Sequence, residues 1–519
     1  MLNNITPRRY QEKIVETAKH HNTLVVLPTG LGKTLIALML TIERMKKYPG
    51  SKVLFLAPTR PLAMQHLEFF KKYLPELYAH LELFTGKINS DKRAKLWEKA
   101  DIIFSTPQCI ANDLKNKRIN VSDVSLLIED EAHKCLKNYD YVYIASEYKK
   151  QATHVRILGL TASPGSQPNI IKDICKNLGI EAVEVRTRES DDVKPYIQKL
   201  YVKIIKLELP EEFIKVREIL QKIFNKKTEE LKNRKLLFNK PTKKNLLELQ
   251  HNIIKAIASG NKHFNLLRGA TACAQVIKLQ HALELLETQG MAALEKYLQG
   301  LFKQARQEKS KAVRQLIKSK EFNQAVIAIN ELLAVGKEHP KLEKLREIVE
   351  EEMKNNPKSR IIIFSQYRDT VTRICKELNS IKGIKINARV FVGQSVKNGS
   401  GMTQKEQQQI IHEFKRGFIN ILVATSIAEE GLDLPEVNMV VFYEPIPSAI
   451  RKIQRAGRTA RLKPGKLIIL VTKKTRDEAY HWAAYHKERK MHNILKDIAE
   501  NFKKKNIEKD KQQRILEFI

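Results

Sequence analysis

The sequence predicts two α/β domains in tandem, each built on a parallel sheet, with an all-helical insert between them. Short apolar runs alternate with helix-length amphipathic runs up to about residue 190, and a second such series starts near residue 360. Strand-like runs stop between roughly 200 and 340, where helical periodicity takes over. Short runs rich in Val, Ile and Leu are typical of parallel strands that are covered on both faces.

The apolar runs give the expected strands in order. The first domain has 23–27, 52–57, 101–105, 124–129 and 155–160, and the second has 360–365, 386–391, 420–425, 438–443 and 466–471. We expect a first domain at 1–195, a helical insert at 196–340, a second domain at 341–490 and a basic tail at 491–519.

Composition points to a polyanionic partner. The 519 residues carry a formal charge of +35, and such an excess favours binding to nucleic acid. An anionic membrane surface is the rival partner, but no run of about 18 apolar residues is present. The five cysteines are scattered without a C-x-x-C pair, which favours a reducing, cytoplasmic compartment over disulfides or zinc.

The stretch 27–34, LPTGLGKT, has the features of a phosphate-binding loop. It lies between a strand-like run and a helix, where inward-turned backbone N–H groups and the helix dipole favour an anion. Lys33 would reach the β- and γ-phosphates of ATP, and Thr34 would offer its hydroxyl to Mg²⁺. The general pattern has glycine at the first position, where this chain has leucine. The expected ATP contacts are Leu27, Pro28, Thr29, Gly30, Leu31, Gly32, Lys33 and Thr34.

Two acids end the fourth expected strand. Asp130 is placed to hold Mg²⁺, and Glu131 to orient and deprotonate an attacking water. Adjacent acids are common on protein surfaces, so the pair alone predicts no role. The prediction of a catalytic pair depends on its position after an apolar strand and downstream of a phosphate loop.

Phosphoryl transfer also needs a cation to meet the charge that develops in the transition state. The second domain offers the segment QRAGRTAR at 454–461. Arg458 and Arg461 are three residues apart, on one side of a regular helical turn. Arginines from one domain that complete a site on the other would make hydrolysis depend on closure of the cleft; a basic surface helix is the alternative.

These motifs, in this order, resemble those of superfamily 2 helicases with a DEAH sequence at 130–133. The resemblance implies an ATP-dependent enzyme in which Arg8 stacks on adenine and Gln11 reads its edge. It also makes Gln454, Arg458 and Arg461 catalytic, and Gly431 and Asp433 nucleotide contacts. His133, Thr161 and Ser163 would couple hydrolysis to movement. The implied DNA contacts are Thr59, Arg60, Gly86, Thr106, Gln366 and Thr425.

Within the superfamily, the segment from FVGQ at 391 to TAR at 461, together with LQHALELLETQG at 279–290, resembles the helicase half of the archaeal Hef family, a relative of the Fanconi anaemia group M family. The resemblance implies a translocase on forks and Holliday junctions, moving 3′ to 5′, with the insert gripping branched duplex. Ala460 departs from the family's glycine. No nuclease-like carboxylate cluster follows the second domain, so any nuclease is expected to be a separate partner.

The last eight residues, QQRILEFI, resemble a peptide that binds the PCNA sliding clamp. One helical turn would place Ile515, Phe518 and Ile519 in a hydrophobic pocket, with Gln512 fixing the register. A second aromatic usually stands at the final position. A terminal helix that packs on its own domain is the alternative.

Two other functions stay open on the sequence. An RNA helicase or double-strand RNA sensor would share the same motor motifs. A non-catalytic scaffold on branched DNA would not need Lys33, Asp130, Glu131, Arg458 and Arg461 together.

Overall fold

The protein consists of two parallel sheets with a helical bundle between them in sequence, which confirms the predicted fold class. The computed structural model describes residues 3–75, 78–261, 263–394, 401–429, 432, 434–460 and 464–517, and of 505–517 only the backbone. Within this described part of the chain, no helix has the length and apolarity to span a bilayer.

The first sheet has seven parallel strands. They are β1 (Thr23–Val26), β2 (Lys52–Leu56), β3 (Leu81–Phe84), β4 (Ile102–Ser105), β5 (Val124–Asp130), β6 (Ile157–Thr161) and β7 (Ala182–Val185). Their order is β3-β4-β2-β5-β6-β1-β7. The helices around this sheet are α1 (Arg9–His20), α2 (Lys33–Lys47), α3 (Arg60–Tyr73), α4 (Ser90–Lys99), α5 (Pro107–Lys115), α6 (Asp140–Gln151) and α7 (Pro168–Leu178).

The bundle has six helices that share one apolar core. They are α8 (Glu211–Asn233), α9 (Lys243–Ala258), α10 (Phe264–Thr288), α11 (Met291–Arg306), α12 (Lys311–Ile317) and α13 (Lys320–Ala334). Leucines and isoleucines at helical spacing fill this core, as the 3.6-residue periodicity predicts.

The second sheet has six parallel strands. They are β8 (Leu200–Leu207), β9 (Ile361–Phe364), β10 (Ala388–Phe391), β11 (Ile421–Ala424), β12 (Met439–Phe442) and β13 (Gly465–Thr472). Their order is β10-β11-β9-β12-β13-β8. The accompanying helices are α14 (Pro340–Asn355), α15 (Arg368–Asn379), α16 (Gln404–Arg416), α17 (Ala449–Ala456) and α18 (Arg476–Glu517).

Two expectations about chain segments need correction. Residues 200–207 fall in the range assigned to the all-helical insert, yet they form β8, which pairs with β13 along its whole length. The strand lies at the sheet edge and is largely exposed, and Lys203 and Lys206 interrupt its apolar residues, so it does not form the continuous run used to find the others. The expected basic tail is helical from Arg476 to Glu517, and Met491 and Leu495 are buried in the core of the first domain.

Helix α18 therefore touches both sheet domains. Near its start, the buried Asp477 carboxylate accepts a hydrogen bond from the Thr472 N–H at the end of β13, 3.0 Å away. Four turns later, the Ser163 hydroxyl lies 2.9 Å from the Met491 sulfur. The helix thus contacts both domains, and its contact with the first domain lies at Ser163, just after β6.

Candidate functional site

The phosphate loop turns between β1 and α2 at the carboxyl edge of the first sheet. Gly30 and Gly32 have φ of 84° and 78°, a left-handed region that favours glycine. Leu27 accepts a hydrogen bond from the Lys33 ammonium at 2.9 Å through its backbone carbonyl, which a glycine would equally provide. Its N–H donates to the Thr161 carbonyl at 3.0 Å, which ties the loop to β6.

Helix α1 closes one side of this loop. The buried Gln11 amide donates to the Leu31 carbonyl at 3.1 Å and accepts from the Arg8 N–H at 2.9 Å. The Arg8 guanidinium lies over the Tyr196 ring, 5.0 Å from its centroid, an aromatic residue the sequence did not single out. Arg8 and Gln11 thus lie beside the loop, as an adenine pocket requires.

A histidine joins the two groups expected to bind Mg²⁺. His66 Nδ1 lies 3.3 Å from the Thr34 hydroxyl, and its Nε2 lies 2.9 Å from Asp130 Oδ2. Burial of Asp130 opposes its ionisation, but His66 and Lys33 outweigh this and lower its pKa. The Thr34 hydroxyl and the Asp130 carboxylate, one at each ring nitrogen of His66, are oxygen donors of the kind that Mg²⁺ prefers.

Glu131 begins a short polar chain towards β6. It has left-handed backbone angles, φ 52° and ψ 47°, and its carboxylate lies 3.2 Å from His133 Nδ1. The same nitrogen is 3.2 Å from the Thr161 hydroxyl, which accepts a hydrogen bond from the Ser163 N–H at 3.1 Å. The proposed water-activating acid and the proposed coupling residues are therefore connected.

The segment 454–460 of the second domain faces the phosphate loop. A Cβ added to Gly457 would be 2.8 Å from the Thr29 Cβ, so only a glycine fits against the loop here. A second link joins the domains where the Arg188 guanidinium donates to the Ala460 carbonyl at 2.7 Å. This contact between the two domains places the arginine motif on the opposite wall of the cleft.

Arg458 is held by its own domain in this state. It is largely buried and donates to the carbonyls of Glu429 and Leu432, at 2.7 and 3.1 Å. Gln454, one turn earlier, is also buried.

Ala460, where the related family has glycine, has φ of 54°. A left-handed alanine costs about 1 kcal/mol, which explains why glycine suits the position.

A buried carboxylate that sequence reasoning missed organises this wall. Glu429 accepts hydrogen bonds from the Arg451 guanidinium, at 2.7 Å, and from Arg455 Nε, at 2.9 Å. Arg455 is fully buried, and its guanidinium lies 4.7 Å from the Phe364 ring centroid. The spacing of Arg451 and Arg455 on one helical face is the sequence signal that could have pointed to a buried ion pair. The sequence gives no indication that Glu429 is their acidic partner.

The expected strand contacts follow neighbouring strands of each sheet. In the first sheet β3, β4 and β2 are adjacent, and their ends align through the pairs Phe84–Ser105 and Leu56–Ser105. The residues that follow these ends are Thr59, Arg60, Gly86 and Thr106. In the second sheet β11 and β9 are adjacent and end in register, and Thr425 and Gln366 follow them.

Some expected site residues lie outside the described residues. They are Gly431, Asp433, Arg461, Phe518 and Ile519, and the side chains of Gln512 and Ile515 are likewise not described.

Comparison with known families agrees with this arrangement. A DEAD/DEAH box helicase model matches residues 8–171 and a helicase conserved C-terminal domain model matches residues 340–463. A model provisionally described as ATP-dependent RNA helicase, helical bundle, matches residues 212–336.

Individual relatives give a closer match. The crystal structure of the Pyrococcus furiosus Hef helicase domain is 44% identical, with a TM-score of 0.71, over 92% of this chain and 98% of that chain. MJ1505 of Methanocaldococcus jannaschii, provisionally named an ATP-dependent RNA helicase, is 41% identical over 95% of this chain and 61% of its own length. The mouse Fanconi anemia group M protein homolog is 32% identical over 96% of this chain and 26% of its own length. The chain thus spans less than two thirds of these last two relatives.

Two parallel-sheet domains, with a phosphate loop on one and an arginine motif facing it on the other, define a DEAD/DEAH box helicase. Within that class, the chain belongs to the family of the archaeal Hef helicase domain and the Fanconi anaemia group M proteins.

Proposed function

We propose that this protein is an ATP-dependent DNA helicase or translocase that remodels forked and Holliday-junction DNA in replication-fork repair, moving 3′ to 5′. The observation that supports this most is the seating of Gly457 against Thr29, which sets the arginine motif of one domain over the phosphate loop of the other. The named DNA helicases among the relatives, including the Neurospora crassa ATP-dependent DNA helicase mph1, 33% identical over 92% of this chain, favour DNA as substrate.

ATP would lie between the two walls. The loop from Leu27 to Thr34 would bind its phosphates and Arg8 and Gln11 its adenine, while Gly431 and Asp433 would sense it from the second domain. Mg²⁺ would be held by Thr34 and Asp130, each of which contacts a ring nitrogen of His66. Bound there, the ion would supply positive charge to the β- and γ-phosphate oxygens.

Hydrolysis would use groups from both domains. Glu131 would orient and deprotonate the attacking water, and Lys33 and Arg458 would meet charge on the transferred phosphoryl group, with Gln454 and Arg461 beside them. The polar chain from Glu131 through His133 and Thr161 to Ser163 would couple hydrolysis to movement of the domains.

One DNA strand would cross both sheets. The contacts at Thr59, Arg60, Gly86 and Thr106 on one domain, and Gln366 and Thr425 on the other, follow strand ends that share an edge. Hydroxyl and backbone contacts of this kind read phosphate and sugar, so binding should tolerate any sequence and weaken with salt. Closure around ATP and reopening after hydrolysis would then move the domains along the strand.

Further parts of the proposal concern the insert, the C-terminus and partners. The bundle 211–334 would grip branched duplex, and residues 512–519 would bind the sliding clamp PCNA. A relative from Arabidopsis thaliana is named an RNA helicase, so RNA is the second candidate substrate.

ATPase and unwinding on a matched panel decide between these substrates. The panel is single strand, duplex, fork and Holliday junction, each as DNA and as RNA, with the Lys33→Ala variant as the inactive control. We expect forked or four-way DNA to stimulate ATP hydrolysis most. Stimulation by duplex RNA alone would favour the RNA helicase, and tight junction binding without turnover would favour the scaffold.

A further inference from the structure

One corner of the helical insert combines exposed aromatic rings with dense positive charge. Phe238 and Phe264 are 84% and 66% exposed, in a protein whose other phenylalanines are mostly buried. Large exposed aromatic side chains in a basic setting are typical of surfaces that stack on bases.

The two rings border one continuous surface. The chain after α8 runs along α10, because Arg234 and Asn265 exchange two hydrogen bonds, of 2.9 and 3.2 Å, and the Gln280 amide donates to the Pro241 carbonyl at 3.3 Å. Between these points, a Cβ added to Gly269 would overlap the Leu236 side chain. Phe238 lies on the chain segment that follows α8, and Phe264 lies at the start of α10. We call this surface, residues 234–244 with 264–268, the aromatic ridge.

The charge around the ridge selects an anionic partner. Between residues 234 and 268 the sequence has eight lysines and arginines and one carboxylate, Glu248. Lys235, Lys240, Lys243 and Lys244 are exposed. Carboxylates from outside this range pair with two of the cations, Glu284 with Lys243 at 3.2 Å and Glu230 with Arg234 at 3.1 Å, which leaves Lys235, Lys240 and Lys244 as the main contribution to the charge. A protein partner that buries two phenyl rings would need a strongly acidic face, whereas a nucleic acid supplies phosphates and flat apolar bases together.

One ring is already arranged for stacking. The Arg268 guanidinium lies over Phe264, 5.1 Å from the ring centroid, on the same exposed turn of α10. Since Phe264 remains 66% exposed, this cation covers only part of the ring and leaves room for a base. A paired base inside a duplex offers no free face, so the partner must have unpaired bases.

We propose that the aromatic ridge binds the unpaired bases of a single-stranded arm beside a branch point, with Phe238 and Phe264 stacking on bases and the neighbouring lysines on phosphates. This rests on the proposed function for the substrate class. It adds that the insert distinguishes branches with unpaired bases from branches that are fully paired.

The test compares nucleotide-free binding by the full chain and by the Phe238→Ala/Phe264→Ala variant. The DNA ligands are a fork with two single-stranded arms and the same fork with both arms paired, carrying 2-aminopurine next to the branch. We expect the variant to lose about 5- to 100-fold per ring on the open fork and little on the paired fork. The 2-aminopurine quenching that stacking causes should fall as well.

Controls separate stacking from charge and from general surface damage. Phe418→Ala removes a ring that is 65% exposed on the second domain, so it should bind both forks like the wild type. A Lys240→Ala/Lys243→Ala/Lys244→Ala variant should bind both forks less well and reduce the salt dependence, whereas the phenylalanine variant should leave the salt dependence unchanged.

Two results would overturn the proposal: unchanged affinity of the phenylalanine variant for the open fork, or an equal loss on the open and the paired fork. Failure of the proposed function can be told apart from failure of this proposal. A lack of DNA-stimulated ATPase activity would refute the ATP-dependent helicase, whereas the binding of the two forks is measured without nucleotide and tests the aromatic ridge alone.

Discussion

The two walls of the nucleotide cleft hold their charged groups in different ways. On the first wall, the Lys33 ammonium donates to the Leu27 carbonyl, and Thr34 and Asp130 contact the two ring nitrogens of His66. On the second wall, Arg458 is turned onto the carbonyls of Glu429 and Leu432 of its own domain. Both cations would therefore exchange backbone carbonyls for phosphate, Lys33 within the phosphate loop itself and Arg458 within the opposite domain.

This difference indicates where control lies. In the proposed function, Lys33 would reach a phosphate in its own loop without movement of the domains. An arginine that must leave two carbonyls engages only when the gain at the transition state exceeds that loss. In the proposed function, hydrolysis would then depend on closure of the cleft, which DNA bound across both domains would promote.

On the first wall, a large effect is expected from a change at Glu131. Glu131→Gln keeps the shape of the side chain but removes the base, so the ATPase rate should fall by about 10²–10⁴-fold. Fork binding should persist, because the lesion is at the hydrolysis step. Steady-state ATPase and fork affinity of one preparation check this, and wild-type hydrolysis would show that Glu131 is not the base.

The contact between the walls can be disturbed without touching a charged group. Gly457→Ala would place a methyl group 2.8 Å from the Thr29 Cβ and push the two domains apart. We expect DNA-stimulated ATPase to fall roughly 10- to 100-fold, as a displacement of about 1 Å does in an active site.

Gly300→Ala is the matched control, because a Cβ there has no neighbour within 4 Å in the middle of α11. It should keep full activity. An active Gly457→Ala enzyme would mean that the walls do not meet as described during turnover.

A smaller effect is expected on the pH dependence of stability, through a buried carboxylate of the second domain. Glu444 is 1% exposed and its carboxylate accepts a hydrogen bond from the Gln366 N–H. Burial raises its pKa from 4.5 to about 7, against the cations Lys341 and Arg455, which lower it. An acid with a raised folded-state pKa stabilises least at high pH, so its contribution should fall by roughly 3 kcal/mol as pH rises from about 4.5 to about 7.

Glu444→Gln keeps an acceptor for the Gln366 N–H and removes the titration. Denaturant unfolding of both proteins at pH 5 and pH 8 gives the comparison. The stability of the variant relative to the wild type should increase with pH, and parallel pH dependence of the two proteins would assign the effect to other groups, such as the neighbouring Asp477.

Sequence patterns predicted the first wall better than the second. The phosphate loop and Asp130 are local motifs whose spacing fixes their roles. The groups that were missed, His66, Tyr196 and Glu429, act through partners distant in sequence, and a single sequence contains no signal for such pairs. Of the strands, the ten buried runs were found, whereas β3, β7 and β8 were missed because exposed or half-exposed residues interrupt their apolar patterns.

The most direct test of a nucleotide shared between two walls is single-turnover ATP hydrolysis by Arg458→Ala on forked DNA. Arginines in this role contribute about 10³–10⁵-fold to the rate. We expect ATP to bind nearly as in the wild type, through the first wall, while the hydrolysis rate falls by at least about 10³-fold. Hydrolysis within a few-fold of the wild type would contradict the shared site.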